Sequence, residues 1–515
     1  MLKQGVLPFR YEAEPIGSGM TALAGLPAYL ELAIVSGLTD SIQRHLGKCD
    51  LKKQGWTDTQ IIVSLILLNI AGGDSVDDLR ILEQDEGLAK ILRRIGFTGH
   101  PRKERRDQER RWRKEKKRAF PSPPVIFRYL EAFVNTAEER KRAMGQAFIP
   151  APGEPLKALR KVNPDLLRFA QRKSPQVEAT LEMDASIVET TKQDALFSYK
   201  GSQSFQPLSV RWAEMALIAS SEFRDGNVPA AYQNLRVLEE SLALLPPGVK
   251  KVYFKSDTAA YQIELLRYCA EGRNERFGVI EFAVGADVTD EFKKAVKEVE
   301  EKEWHKLERE VDGEGKDTGQ EWAEVCFVPT WAGLSKKGPS YRFLAIRELL
   351  QQKELPGMEA QLPFPTLNWG EKKYKLFGLV TNRDLPGDQL IWWSRQRCGK
   401  GEEMHAIMKH DLAGGHLPSA HFGANAAWWE IMVLAFNLNS LLKRLALPES
   451  WEPKRLKAIR FGLINVAGRV MLHSRQLIVR LSSSHPAYQL LLEVRRRLQA
   501  LGLASDDALL TPSPP

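Results

Sequence analysis

The chain has 515 residues, of which 43% are hydrophobic and 27% charged, and its formal net charge is +9. That length exceeds one compact core and suggests three or four units of roughly 100–200 residues each. No segment approaches the ~18 uncharged apolar residues of a membrane helix, and the first twenty residues lack the apolar centre of a signal peptide. Cys49, Cys269, Cys326 and Cys398 stand far apart with no C-x-x-C pair, so neither a disulfide framework nor a zinc ribbon is indicated. Composition therefore predicts a cytoplasmic protein with reduced thiols and no membrane partner.

In chain order, residues 19–97 read as helices punctuated by glycine, with Ser, Thr or Asp near their starts. The run 102–118, RKERRDQERRWRKEKKR, holds eleven basic and four acidic side chains. On a helix it forms a positive rod able to displace counterions from a phosphate backbone, with Arg110, Arg111, Arg113 and Lys114 at its centre; the interleaved acids equally suit a salt-bridged solvated face. PSPP at 121–124 stops that run, a further helix follows, and PAPGEP at 150–155 reads as a linker. Residues 1–175 are thus expected to be helical, basic and DNA-binding or dimerising.

From residue 176 the pattern changes. Val177, Ala179, Leu181, Met183, Ala185 and Ile187 alternate with Glu178, Thr180, Glu182, Asp184 and Ser186, the period of a half-buried strand with its acids on a solvated face. Two more strand regions follow: DALFSYKG with FQPLSVRW, then MALIASSEF. After them come a helix at NVPAAYQNLRVLEESLALL, the strand KKVYFKSD, the helix TAAYQIELLRYCAEG and a fifth strand, RFGVIEFAVGA. The order β-β-β-α-β-α-β is that of a ribonuclease H-like core, here spanning 176–286. Residues 287–385, too long for a loop, read as an inserted subdomain. It contains a helix over 291–310, a turn at GEGKDTG and strands in EWAEVCFVP, YRFLAIREL and YKLFGLVTN. Residues 386–445 complete the core, and 446–515 read as a basic helical tail. The expected class is a multi-domain α/β protein: a ribonuclease H-like core with a β-rich insertion, between helical N- and C-terminal regions.

Three acids stand out. Asp184 lies in the first strand. Asp257 ends the fourth, which lies beside the first in such a sheet, and it could equally serve as N-cap for the next helix. Glu402, in RQRCGKGEEMHAIMK, shares a helical face with His405 and Lys409. Two carboxylates ~4 Å apart at an effective dielectric near 20 repel by about 4 kcal/mol, so three together require a cation or a shifted proton. Magnesium takes hard oxygen ligands, and two such ions are the usual device for phosphodiester displacement.

Over most of its length the chain resembles the DDE transposases of bacterial insertion sequences, nearest to the IS thirteen-eighty branch. The resemblance runs from AGLPAYLELAIVSGL and LILLNIAGGDSVDDLRIL through LEMDAS and KSDTAAYQ to GEEMHAIMKHDLAGGHLPSAHFGANAAWWEIMVLAFNLN, the last being the most specific. It implies Asp184, Asp257 and Glu402 as first, second and third acids and ligands of Mg2+ or Mn2+, with two ions. Glu403 is the alternative third acid, but six residues separate Glu402 from Lys409, as in the family, and Lys409 matches a basic residue that contacts DNA near the cleaved bond. The family's tyrosine and arginine before the glutamate are represented by Trp392 or Trp393 and by Arg395 or Arg397, with a gap to Glu402 that departs from the pattern. An aromatic ring there can stack on a base and an arginine can clamp a phosphate.

The expected activity is DNA transposition: binding the terminal inverted repeats, metal-dependent cleavage and strand transfer, by a homodimer or larger assembly on double-stranded element ends and target DNA. The alternatives are a transposase-derived DNA-binding protein that no longer cuts and a nuclease of the same fold. Lys200, in FSYKGSQSFQPL, is placed either near DNA or in a plain hairpin. His405, His410, His416 and His421 are spaced for no common zinc motif, and the tryptophans of AAWWEIM read as core.

Overall fold

The computed structural model describes residues 19–51, 55–96, 118–311, 314–329, 341–350, 364–473 and 476–506. The chain divides into two units, one of residues 1–134, 154–159 and 410–515, the other of residues 135–153 and 160–409.

The second unit is built on one ten-stranded sheet. Its first part comprises β1 (Glu178–Ala185), β2 (Leu208–Trp212), β3 (Leu217–Glu222), β4 (Lys251–Ser256) and β5 (Glu281–Ala286). Helix α1 (Val162–Lys173) precedes them, α2 (Asn234–Leu244) follows β3, and α3 (Ile263–Ala270) follows β4. The strands are ordered β3-β2-β1-β4-β5. The first three form an antiparallel meander, and β4 and β5 run parallel to β1. This is the ribonuclease H-like arrangement expected from the element order.

Position in the sheet changes the meaning of the β1 alternation. Because β1 is central and paired on both edges, the polar side chains in its middle, Thr180 and Glu182, are buried along with its apolar ones. Glu182 is cross-strand neighbour to Arg211 and Lys255, with Arg211 Nη1 at 2.7 Å and Lys255 Nζ at 3.9 Å. The solvated face expected from the alternation is an ionic row inside the fold.

Residues 287–385 extend the same sheet. Helix α4 (Asp290–Lys297) is followed by β6 (His305–Val311), β7 (Glu314–Val325), β8 (Arg342–Leu349), β9 (Thr366–Trp369) and β10 (Lys372–Thr381). The order continues β5-β10-β8-β7-β6, with β9 on β10. Two local expectations change here. The helix expected over 291–310 stops at Lys297, because Leu307 and its neighbours pair with β7 and Leu307 is buried in the core that the sheet forms with Leu344, Ile346, Leu379, Leu390 and Ile391. Of the turn expected at GEGKDTG, Glu314–Gly319 belongs to β7, which carries a register shift between Asp317 and Glu321; Gly319 there adopts φ +72°, and its amide donates to Asp317 Oδ1 at 2.8 Å. After β10 come α5 (Gly387–Arg395), packed on β5 and β7, and α6 (Lys400–Ala406).

The first unit is mainly helical. Its longest helix, Phe422–Leu445, is buried almost all round and packs against Asp58–Ala71, Pro123–Glu131 and Pro27–Val35. Trp428 and Trp429 are fully buried in it, as their apolar setting predicts. Asp58–Ala71 starts with a capping box in which Thr57 and Gln60 satisfy each other's backbone amides. The tail departs from the helical expectation: Gly468–His473 and Gln476–Arg480 form an antiparallel pair that Met20–Thr21 joins. In this segment the backbone is satisfied by pairing from Arg469↔Arg480 to His473↔Gln476 rather than within a helix. Among the described residues no single helix is long and apolar enough to cross a membrane.

Candidate active site

Parallel pairing of β1 with β4 sets Met183 opposite Ser256, and the Ser256 hydroxyl donates to the Met183 carbonyl at 3.0 Å. One residue further along each strand stand Asp184 and Asp257, so both carboxylates leave the same edge of two adjacent strands. Asp257 also caps the turn Thr258–Ala260 by accepting from the Ala259 amide at 3.0 Å. The helix expected from Thr258 itself begins at Ile263, beyond this turn. Burial, and then the charge of Asp184, push the Asp257 carboxyl above the usual carboxylate range, while the Ala259 amide and the Arg397 guanidinium pull it back.

The second approach to Asp184 comes from α6. A Cβ added to Gly401 would lie 3.2 Å from Asp184 Oδ2, and one turn further His405 Nε2 lies 3.3 Å from the same oxygen. His405 is buried, and among the described residues neither of its ring nitrogens has a hydrogen-bond partner. The sequence places His405 on the face of Glu402 and Lys409 but gives it no role there; the i, i+4, i+8 stripe Gly401, His405, Lys409 is the pattern that locates it against the sheet.

The other expected site residues divide clearly. Glu402 is on α6, exposed, and its carboxylate accepts from the Gly399 amide at the helix start. Glu403 lies 3.6 Å from Lys400 in an ion pair along the same helix. Among the described residues no three His, Cys, Asp or Glu side chains are grouped closely enough to hold a metal ion; the structure brings Asp184 and Asp257 together and leaves the Glu402 carboxylate turned to its own helix. Lys409 Nζ reaches the Ile187 carbonyl at 3.4 Å. Burial and the neighbouring Lys200 push its ammonium down, against Asp184 and Glu189. Lys200 is on the hairpin that follows β1, near enough for its charge to act on Lys409. Arg397 is close enough to act on Asp257, whereas Arg395 is turned to β7, donating to Gln320 Oε1 at 2.8 Å. Trp392 donates to the Glu308 carbonyl at 2.8 Å, and Trp393 packs on Tyr253 and Lys255. These contacts hold Arg395 and both tryptophans within the fold. Arg110, Arg111, Arg113 and Lys114 lie outside the described residues.

Two acids thus stand at the ends of adjacent strands, near enough for the charge of Asp184 to act on Asp257. The chain belongs to the DDE transposases: the family described as transposase DDE domain group 1 matches residues 10–503. No curated protein matches the chain. Among solved structures it is similar to a piggyBac transposase, seen by cryo-EM in a synaptic complex with hairpin DNA, at 10% identity and a TM-score of 0.40, over 95% of this chain and 82% of that one.

Proposed function

We propose that this protein is a DNA transposase that binds the terminal inverted repeats of its own element, cleaves the phosphodiester at their ends and joins the freed 3′-hydroxyl to target DNA. The observation that carries the reading is the Asp184–Asp257 pair, with Asp257 held above its usual range by burial and by its neighbour. Such a pair suits a divalent cation, which would relieve the repulsion that raises Asp257. Asp184 and Asp257 would hold it, with Glu402 as the third acid after its exposed side chain leaves the Gly399 amide. Bound Mg2+ or Mn2+, as one ion or two, would supply Lewis acidity and an activated water. The protein's own part is positional. Asp257 is fixed by its cap to Ala259 and Asp184 by its place in β1. Lys409 and Lys200 offer positive charge to the phosphates on one side, and Arg397 does so near Asp257. The basic run 102–118 would bind DNA outside the cut, and synapsis of two ends implies at least a dimer.

The test is a duplex carrying the DNA that flanks the gene, incubated with Mg2+ or Mn2+. Asp184→Asn, Asp257→Asn and Glu402→Gln, each alone, are expected to bind that duplex like the parent and to leave it uncut. Full cleavage by any one of them removes that residue from the assignment. Glu403→Gln run in parallel decides between the two glutamates. Binding without cleavage by the parent protein itself would point to a transposase-derived binding protein, and cutting of random duplex or RNA–DNA hybrid at equal rates to a nuclease.

A further inference from the structure

The stretch between β1 and β2 forms a polar hairpin whose tip carries two exposed aromatic rings. Val188–Glu189 pairs with Ser204–Phe205, and Phe197 bridges Gln203. The tip is closed by three contacts: the Gly201 amide to the Ser198 carbonyl at 2.9 Å, the Ser198 amide to the Ser202 carbonyl at 2.9 Å, and the Ser198 hydroxyl to the same carbonyl at 3.2 Å. Gly201, at φ +77°, takes the left-handed position that ends the turn. Tyr199 and Lys200 occupy its two central places. The Tyr199 ring is 81% exposed and Phe197 is 49% exposed, an outlay of apolar surface on a turn otherwise made of Ser, Gly, Gln and Lys. At that exposure the Tyr199 ring contributes to no core.

The setting indicates what the rings meet. Lys409 reaches the carbonyl of Ile187, three residues past Asp184 and next to the hairpin strand Val188–Glu189, and the charge of Lys200 acts on it. The charges that act on Lys409 are those of Lys200, Asp184 and Glu189. A phosphate drawn between the two ammonium groups would leave its nucleoside at the level of the neighbouring Tyr199. Bases stack on exposed aromatic rings with little regard to sequence, and a lysine alongside anchors the backbone. A rigid turn loses little entropy when its ring is covered.

We propose that the Ser198–Gly201 turn is a stacking element for DNA: Tyr199 lies against a nucleobase of the strand whose phosphate is held between Lys200 and Lys409, adjacent to the bond at the acid pair. This rests on the transposase reading and adds to it a contact to a base. The experiment uses the full-length protein and the flanking-DNA duplex, carrying 2-aminopurine at successive positions around the junction, with Mg2+. Tyr199→Ala, Tyr199→Phe and Tyr199→Trp are compared with the parent for nicking rate, for fluorescence at each position and for sedimentation without DNA. Tyr199→Ala is expected to nick about tenfold more slowly and to lose the fluorescence change at one position only; the Phe and Trp variants, which keep a ring, stay within about twofold of the parent. Three results overturn the proposal while leaving the transposase intact: Tyr199→Ala nicking at the parental rate, Tyr199→Phe as slow as Tyr199→Ala, or Tyr199→Ala losing self-association in step with activity, which would make the ring a contact to a second copy. A parent that nicks no flanking duplex sinks the transposase reading, and this proposal with it.

Discussion

His405 faces Asp184 across 3.3 Å, from the helix that also carries Glu402. Carboxylates that bind metal are commonly fixed by a second polar group, and loss of such a group costs about 10- to 100-fold in metal affinity or activity. His405→Ala is therefore expected to raise the Mn2+ concentration for half-maximal cleavage about tenfold while leaving DNA affinity unchanged. His405→Gln, which keeps a donor on a flexible stem, should recover part of the loss. A metal titration of the cleavage rate, with binding followed by anisotropy, checks both. Unaltered metal dependence in His405→Ala would make the histidine a packing residue.

Asp257 is raised by burial and by Asp184, so the site stores repulsion in the folded state. Asp257→Asn removes the charge and keeps a residue that caps well, and it should raise the unfolding free energy by roughly 1 kcal/mol. Mn2+ should raise the melting temperature of the parent through binding to the folded state, and that rise should vanish in Asp257→Asn. Thermal unfolding with and without Mn2+ measures both. A destabilised Asp257→Asn would mean that the carboxylate's ties to Ala259 and Arg397 outweigh the repulsion.

Gly401 faces Asp184 from α6. Alanine would gain up to about 1 kcal/mol of helix propensity, but its Cβ would stand 3.2 Å from Asp184 Oδ2. The carboxylate would have to shift by a few tenths of an ångström. Gly401→Ala should keep or slightly raise the melting temperature and lower cleavage about tenfold, since small misplacements at a reacting centre are costly. Parental activity in Gly401→Ala would show that the carboxylate has room to move.

The acid-bearing strands were legible because period two marks a strand, and because an Asp that ends a strand before a helix has a defined place. The charged row beneath them was not. Arg211, Glu182 and Lys255 become neighbours only through the register of β2, β1 and β4, and in the sequence Glu182 differs in no way from a solvated acid. His405 was hidden for a related reason: its partner lies on a strand far earlier in the chain. Residues 291–310 are rich in Glu and Lys at helical intervals, and only the pairing of β6 with β7 reveals the strand among them. The tail at 468–480 shows the same dependence on non-local pairing. Local patterns reported element type well where one face decided it, and poorly where a distant strand did.

Lys255 is 2% exposed, 3.9 Å from Glu182, over the Trp393 ring at 4.4 Å and 3.4 Å from Gln396 Oε1. Burial pushes its ammonium down from the ordinary 10.5 to about 8, with Glu182 opposing. Between those two values the unfolded chain holds a proton that the folded chain has released. Stability contributed by this group therefore rises as pH increases from about 8 to 10.5 and is lost as pH falls back through 8. A shift of this size corresponds to on the order of 3 kcal/mol. Lys255→Met keeps the bulk, leaves Glu182 its Arg211 partner, and should abolish that rise. The measurement is denaturant unfolding of parent and variant from pH 7 to 10.5, read as the difference between the two curves, which cancels the other lysines. A flat difference would mean that the row below the acids holds Lys255 charged across the whole range, and that its cation is a permanent part of the floor beneath Asp184 and Asp257.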